Sequence, residues 1–355
     1  MFESGFLSSL IGFFVVLTPL VFIHELGHYF AAVKSGVKVE TFSVGFGPEI
    51  FGYTDKKNTR WKFSLIPLGG YVKMKGELIH VSKENEKKSY DKDAFLQASL
   101  FSRFFIVISG PLANLVLGVF LIVGLYYFHG RYVSPPIINE VIDSKPALQS
   151  GLMQGDKIIT INEKKINDFF DIKKIVEANP NNSLIFEILR NNNIFKVKVI
   201  TEGYNVTPTK IIGRIGITAV KPELKKLPIL SSLQFGFQDT VKMTTEWLKG
   251  LKSLLVFEVN KQDVIGPIGI AKISGSSLET GFASIIFLMA ILSINLGLIN
   301  LLPIPALDGG YILLYAYELI FRKPLSGKIQ TTLLKFGILF LIFLMVLVTL
   351  FDLGL

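Results

Sequence analysis

"FLSSLIGFFVVLTPLVFIHELGHYF", residues 6–30, is long and apolar enough to cross a bilayer, yet its last third carries His24, Glu25 and His28. A helix needs about 20 predominantly apolar residues to span the hydrocarbon core, and ionisable groups inside a span are costly enough to be functional by default. Residues 104–128, 282–305 and 333–351 meet the same criterion. No basic residue precedes the first stretch and no small-residue cleavage site follows it, so it reads as a retained span and not as a signal peptide. Four transmembrane helices are expected.

The distribution of charge orients them. No Lys or Arg precedes residue 34 and none follows Lys335, whereas residues 34–103 carry thirteen, and Arg322, Lys323 and Lys328 lie between the last two spans. By the positive-inside rule those two links are cytoplasmic, both termini face outward, and the long stretch between the second and third spans lies outside. The net charge of +9 therefore follows topology, with no basic recognition element of the kind nucleic acid requires. The chain has no cysteine, which excludes disulfides, thiolate catalysis and Cys-ligated zinc. A metal site must be built from His, Asp or Glu.

Positions four apart on a helix share a face, so His24 and His28 can grip one ion while Glu25 projects to its side. This is the H-E-x-x-H arrangement, in which two neutral imidazoles bind zinc and the carboxylate takes a proton from water. Given four His and seventeen Glu, composition alone predicts about 0.002 such motifs by chance. A catalytic zinc ion usually takes a third protein ligand. Glu40 and Glu49 follow in the chain, but the third span ends in "NLLPIPALDGGY", residues 300–311, which brings Asp308 to the same cytoplasmic depth as the histidines. Pro303 and Pro305 break the helix there, and Gly309 and Gly310 allow a close turn. The alternative for Asp308 is a helix cap. His80 and His129 read as surface residues.

Together these motifs resemble the intramembrane site-2 metalloproteases, and within them the bacterial regulator-of-sigma-E protease branch. "GFGPEIF" (45–51), "PLGGYVKM" (67–74) and "SGPLAN" (109–114) extend the resemblance over nearly the whole chain. It implies one catalytic Zn2+ held by His24, His28 and Asp308, with Glu25 as base and Asn300 helping to hold the substrate backbone. Gly70 and Asn114 join Asn300 as candidates for contacting substrate. Asn114, costly in lipid, either bonds a neighbouring helix or approaches the site. The resemblance further implies location in the bacterial inner membrane and single-span substrates, such as anti-sigma factors or remnant signal peptides, already trimmed on the outer side. Two departures stand out: Tyr311 occupies the place where many relatives have histidine, and there is room for one PDZ domain where the best-known members have two.

The remaining segments complete a polytopic α-helical membrane protein with four transmembrane helices, a membrane-associated β-hairpin segment and an inserted α+β PDZ domain. "KVETFSVGFGPEIFGY" and "TRWKFSLIPLGGYVKM" alternate apolar and polar residues and read as short strands. Their edge could pair with a substrate drawn out of its helix, or they could serve packing alone. Residues 82–93 read as a solvated loop. "SKPALQSGLMQGDKIITINEKKI" (144–166) resembles the bacterial PDZ order of short helix, Gly-Asp turn and strand, with "DIKKIVEANP", "SLIFEILRN" and "IFKVKVIT" following. Such a domain captures a chain end, excludes untrimmed substrates or acts as a spacer. Residues 229–258 space apolar side chains at helical intervals, as an interfacial or core-packing amphipathic helix would. The expected divisions are 1–128 (two spans and hairpin), 129–222 (periplasmic PDZ), 223–281 (amphipathic helix and linker) and 282–355 (two spans and the LDG motif). Two functions compete: a zinc peptidase acting on single-span proteins in the bilayer, and a non-enzymatic PDZ-bearing adaptor or metal-binding protein. Glu25 favours the first, because an adaptor has no use for a carboxylate beside paired ligands.

Overall fold

The apolar run at the start of the chain has no helix-breaking residue except Pro19, and it forms one helix, α1 (Phe6–Lys34). Its 29 residues extend roughly 44 Å, more than the hydrocarbon core requires. The protein is described here by a computed structural model over residues 5–76, 91–207, 210–256 and 265–354. His80 and residues 82–90 of the expected loop lie outside the described residues.

After α1 come two bent strands, β1 (Val39–Thr54) and β2 (Arg60–Met74), then α2 (Leu100–Phe128). The strands are far longer than the short ones expected, because each serves in two places. Residues 39–46 pair antiparallel with 66–74 (Val39 with Met74, Val44 with Gly70), and 49–54 pair with 60–64 (Glu49 with Ser64, Thr54 with Arg60). Thr41–Val44 also lie beside Arg60–Phe63 with both numbers rising together. Two strands thus make a sheet four segments wide, with the 66–74 segment on one outer edge. Gly45, Gly47 and Gly69 take positive φ at the bends. Phe42 and Trp61 stack within the sheet and pack with Tyr29 of α1, whereas Ile50, Phe51, Leu65 and Ile66 are exposed, as suits contact with lipid. Asp55 fastens the 54–60 turn: it accepts from the Trp61 indole (2.9 Å) and from the backbone N–H of Lys57 and Thr59 (2.8 and 2.9 Å).

Residues 128–227 form a separate α+β unit, at the place where the sequence suggests the PDZ-like insert. It runs β3 (Arg131–Val133), β4 (Ile138–Val141), α3 (Pro146–Gln149), β5 (Lys157–Ile161), β6 (Lys164–Lys165), α4 (Phe169–Glu177), β7 (Ser183–Arg190), β8 (Asn193–Ile200), β9 (Glu202–Thr207), β10 (Lys210–Arg214), β11 (Ile217–Ala219) and β12 (Glu223–Lys225). A four-stranded sheet in the order β6-β5-β7-β8 carries Ile158, Leu184, Phe186, Ile188 and Val199 into a core with Ile172 and Val176 of α4. The Gly-Asp turn has a clear role. Buried Asp156 accepts from Met153 N–H and from two guanidinium nitrogens of Arg190 (2.8, 2.7 and 2.7 Å), so it fixes the entry to β5.

The chain returns through α5 (Ile229–Leu255), α6 (Pro267–Thr280), α7 (Phe282–Asn300), α8 (Asp308–Phe321) and α9 (Gly327–Asp352). Among the described residues, α1, α2, α7 and α9 are long and apolar enough to cross a membrane. Helices in lipid gain little from the hydrophobic effect against one another and associate where small residues permit close approach. Accordingly Gly12 of α1 meets the backbone of Ser274 on α6, and Gly27 meets the Ser109 carbonyl of α2. Amphipathic α5 is tied to α2 by Tyr126, whose hydroxyl donates to Asp239 (2.7 Å). Two elements depart from expectation. Residues 267–280, read as a linker, are helical, with Pro267 at the first turn and Asp352 accepting from Gly266 and Gly269 N–H (2.9 Å each). The third span stops at Asn300, short of residue 305, because Pro303 and Pro305 supply no N–H to continue it, and a separate helix starts at Asp308.

Candidate metal centre

One turn of α1 sets the Nε2 atoms of His24 and His28 3.2 Å apart. The first residue of α8 adds Asp308, whose Oδ2 lies 3.2 Å from His24 Nε2 and 3.6 Å from His28 Nε2. In a tetrahedral zinc site with bonds of about 2.0–2.1 Å, neighbouring donor atoms stand roughly 3.3–3.4 Å apart. The three separations match one face of such a tetrahedron, and the fourth vertex is left for water or substrate. Among the described residues this is the trio of potential ligands whose donor atoms converge in this way. Two imidazoles and a carboxylate without thiolate suit zinc in a hydrolytic centre.

The second helix fixes the imidazoles. On α2 the Ile106 carbonyl accepts from His28 Nδ1–H (2.8 Å). That bond assigns the proton to Nδ1 and leaves Nε2 its lone pair for a metal. Gly110, on the same face, admits the His28 ring: a Cβ there would overlap it. His24 Nδ1 faces the side-chain amide of fully buried Asn114 at 3.3 Å.

The position of Asp308, the third candidate ligand, depends on a tightly folded turn. Ala306 has a φ of 86°, a left-handed conformation costly for a residue with a Cβ, and it lies two positions before Asp308. The surrounding contacts hold it there. A Cβ at Gly309 would strike the carbonyls of Leu301 and Leu302, one at Gly310 the Ile304 carbonyl, and one at Gly337 of α9 the Pro305 carbonyl. Farther along α8, Glu318 accepts two bonds from Arg103 of α2 (2.6 and 3.1 Å) in a largely buried pair, which ties the helix of the third ligand to the helix that supports the histidines.

These groups line a cavity of about 1220 Å³. Glu25, Gly70, Asn300 and Tyr311 face it together with the three ligands. Glu25 accepts from the Val72 backbone N–H on the outer edge of β2, and Gly70 is where that edge passes α1: a Cβ there would come within 3.0 Å of Glu25 Cγ and 2.7 Å of the Ser43 carbonyl. Asn114 is fully buried, does not line the cavity and sits behind His24, on the neighbouring helix. His129 is exposed. Sequence reading missed the Ile106 carbonyl, Gly110 and Gly337. The "SGPLAN" stretch flags the second; nothing in "KFGILF" flags the third.

The family model described as Peptidase family M50 matches residues 12–344. A Rickettsia conorii protein named "Putative zinc metalloprotease" is 40% identical over 349 residues, covering 95% of this chain and 96% of its own. "Probable protease eep" of Enterococcus faecalis is 33% identical, covering 97% and 98%. Among solved structures, the PDZ domain of an SdrC-like protein from Listeria monocytogenes resembles 25% of this chain over 90% of its own length, at 18% identity and a TM-score of 0.22.

Proposed function

Because the chain belongs to peptidase family M50 and is a membrane-embedded metalloprotease of the site-2 type, we propose that it hydrolyses peptide bonds within or near the membrane span of single-span proteins, using one zinc ion. The observation that carries this reading is the convergence of His24, His28 and Asp308 on one tetrahedral face, with Glu25 beside it in the same cavity. A zinc ion held there supplies a Lewis acid that polarises the scissile carbonyl and acidifies the attacking water. Glu25 takes the proton of that water as its oxygen bonds the carbonyl carbon, and delivers it to the amine nitrogen as the C–N bond breaks. Glu25 follows His24 on α1 and lies beside the Val72 N–H, in the cavity that the histidines line.

A peptide bond inside a helix is shielded by its own hydrogen bonds and crowded by side chains, so the substrate must unwind first. The 66–74 segment offers an edge with no strand paired on its outer side among the described residues, next to Glu25. An extended substrate segment added to that edge has its backbone groups satisfied while its carbonyl approaches the ligands. We assign Asn300, which ends α7 and lines the same cavity, to holding that backbone. The positive-inside rule supports our reading that the site faces the cytoplasm and that the link carrying residues 128–227 faces the periplasm, in a chain we assign to the inner membrane. We assign that unit to excluding substrates not yet trimmed on the outer side. Incubation of a model single-span protein with the enzyme in liposomes, followed by mass spectrometry of the products, tests the reading. Cut sites inside or within a few residues of the span support it; cuts confined to soluble segments far from the span contradict it.

A further inference from the structure

The two histidines are both backed by α2, but not in the same way. His28 Nδ1 has a carbonyl partner, Ile106 O, and is thereby a donor. His24 Nδ1 faces Asn114 Nδ2 at 3.3 Å, while Asn114 Oδ1 is buried with no hydrogen-bond partner. In this amide orientation the N–H group points at Nδ1, which must then carry the lone pair, and the neutral ring keeps its proton on Nε2. A proton on Nε2 blocks the atom that faces His28 and Asp308. A half-turn of the amide exchanges oxygen for nitrogen, which occupy nearly the same space.

We propose that Asn114 is the positioning residue for His24: its Oδ1 accepts the Nδ1–H, fixes the tautomer with Nε2 free, and aims that atom at the zinc ion. The amide nitrogen then takes the place of the unpartnered oxygen. Three features of the structure suit Asn114 to the task. It is fully buried, so water does not compete for the bond. Its own backbone carbonyl is held by Ser293 of α7, whose hydroxyl donates to it at 2.7 Å. Pro111 lies one turn earlier and is itself packed on Gly297 of α7. Asn114 therefore joins α1, α2 and α7 at one point. The two ligands of α1 are oriented by two acceptors of different chemistry on one supporting helix.

This inference rests on the zinc reading above, and the experiment separates the two. Zinc affinity is measured by competition with a chromophoric chelator for the full-length chain in detergent, for wild type, Asn114→Asp and Asn114→Leu, and for Asn114→Ala should the leucine variant not fold. The Ser293 bond uses the backbone of residue 114 and survives every substitution. A carboxylate keeps an acceptor and no donor, so Asn114→Asp is expected to hold zinc within about threefold of wild type, whereas the apolar variants lose about 10–100-fold. Asn114→Asp affinity as poor as that of the apolar variants overturns the proposal, because the amide N–H would then be the working group. Wild-type affinity in an apolar variant overturns it as well. Absence of zinc binding by wild type instead contradicts the metal reading on which the proposal stands.

Discussion

Gly110→Ala places one methyl group against His28, a proposed zinc ligand, and the structure sets its consequence. The new Cβ would lie 2.5 Å from His28 Cε1, 2.9 Å from Cδ2 and closer still to Nε2. Non-bonded carbons rest about 3.5–4.0 Å apart, so the ring must retreat by roughly 1 Å. It cannot do so freely, because Nδ1 is bonded at 2.8 Å to Ile106 O on the very helix it would have to leave. Metal–ligand distances tolerate only about 0.2 Å, so the displacement is expected to lower zinc affinity by at least about 10–100-fold. Overpacking also costs about 1–3 kcal/mol of stability, which is not specific to the site. Gly236→Ala provides the control: its Cβ would meet Val123 Cγ2 at 2.5 Å, more than three turns along α2 from Gly110. Competition with a chelator should show zinc loss for Gly110→Ala and near wild-type affinity for Gly236→Ala. Wild-type affinity in Gly110→Ala, or equal loss in both, refutes the reasoning.

Gly70→Val should keep zinc but lose most cleavage, since its side chain would press on Glu25 and the Ser43 carbonyl and not on the ligands; parallel zinc and activity assays check this. Gly337→Ala should destabilise the chain by about 1–3 kcal/mol and weaken zinc binding, because the methyl would strike the Pro305 carbonyl of the turn that presents Asp308; thermal unfolding with and without zinc reads both effects. Asp55 gives a pH dependence. Burial pushes its carboxyl up, but bonds from the Trp61 indole and from Thr59 and Lys57 N–H more than offset this and hold it below the ordinary carboxylate range. The turn is therefore anchored at neutral pH, with the contribution present above about 3.9 and lost as pH falls through the lower folded value. Trp61 emission in a Trp247→Phe background should shift over that window in wild type and not in Asp55→Asn.

The sequence makes the ligands legible because their signals are strong and local. Ionisable residues in an apolar run are conspicuous, and i, i+4 spacing dictates which share a face. Asp308 required matching depths across 280 residues of chain, which charge distribution and helix length supplied. The course of the chain around Asp308 was harder. Pro303 and Pro305 announce a break, but α8 is too short and too apolar to be distinguished from a link or from the start of the last span. The helix at 267–280 has two glycines and three serines in "PIGIAKISGSSLET", weak local preference for a helix, and is stabilised by Asp352 from the far end of the chain. In β1 and β2 the alternation of polar and apolar residues shows strands, but not that each bends to pair twice. Asn114 was legible as a costly polar group in a span; its partner, 90 residues away, was not. Gly110 and Gly337 matter only through what passes over them, which no single-position signal carries.

In the proposed mechanism His24, His28 and Asp308 hold the catalytic ion and Glu25 moves the proton. One experiment with two readouts tests this, bound zinc per chain and cleavage of a single-span substrate in liposomes, for wild type, Glu25→Gln and Asp308→Asn. One zinc and cleavage are expected in wild type, zinc without cleavage in Glu25→Gln, and neither in Asp308→Asn. Cleavage by Glu25→Gln at the wild-type rate, or full zinc occupancy in Asp308→Asn, contradicts it.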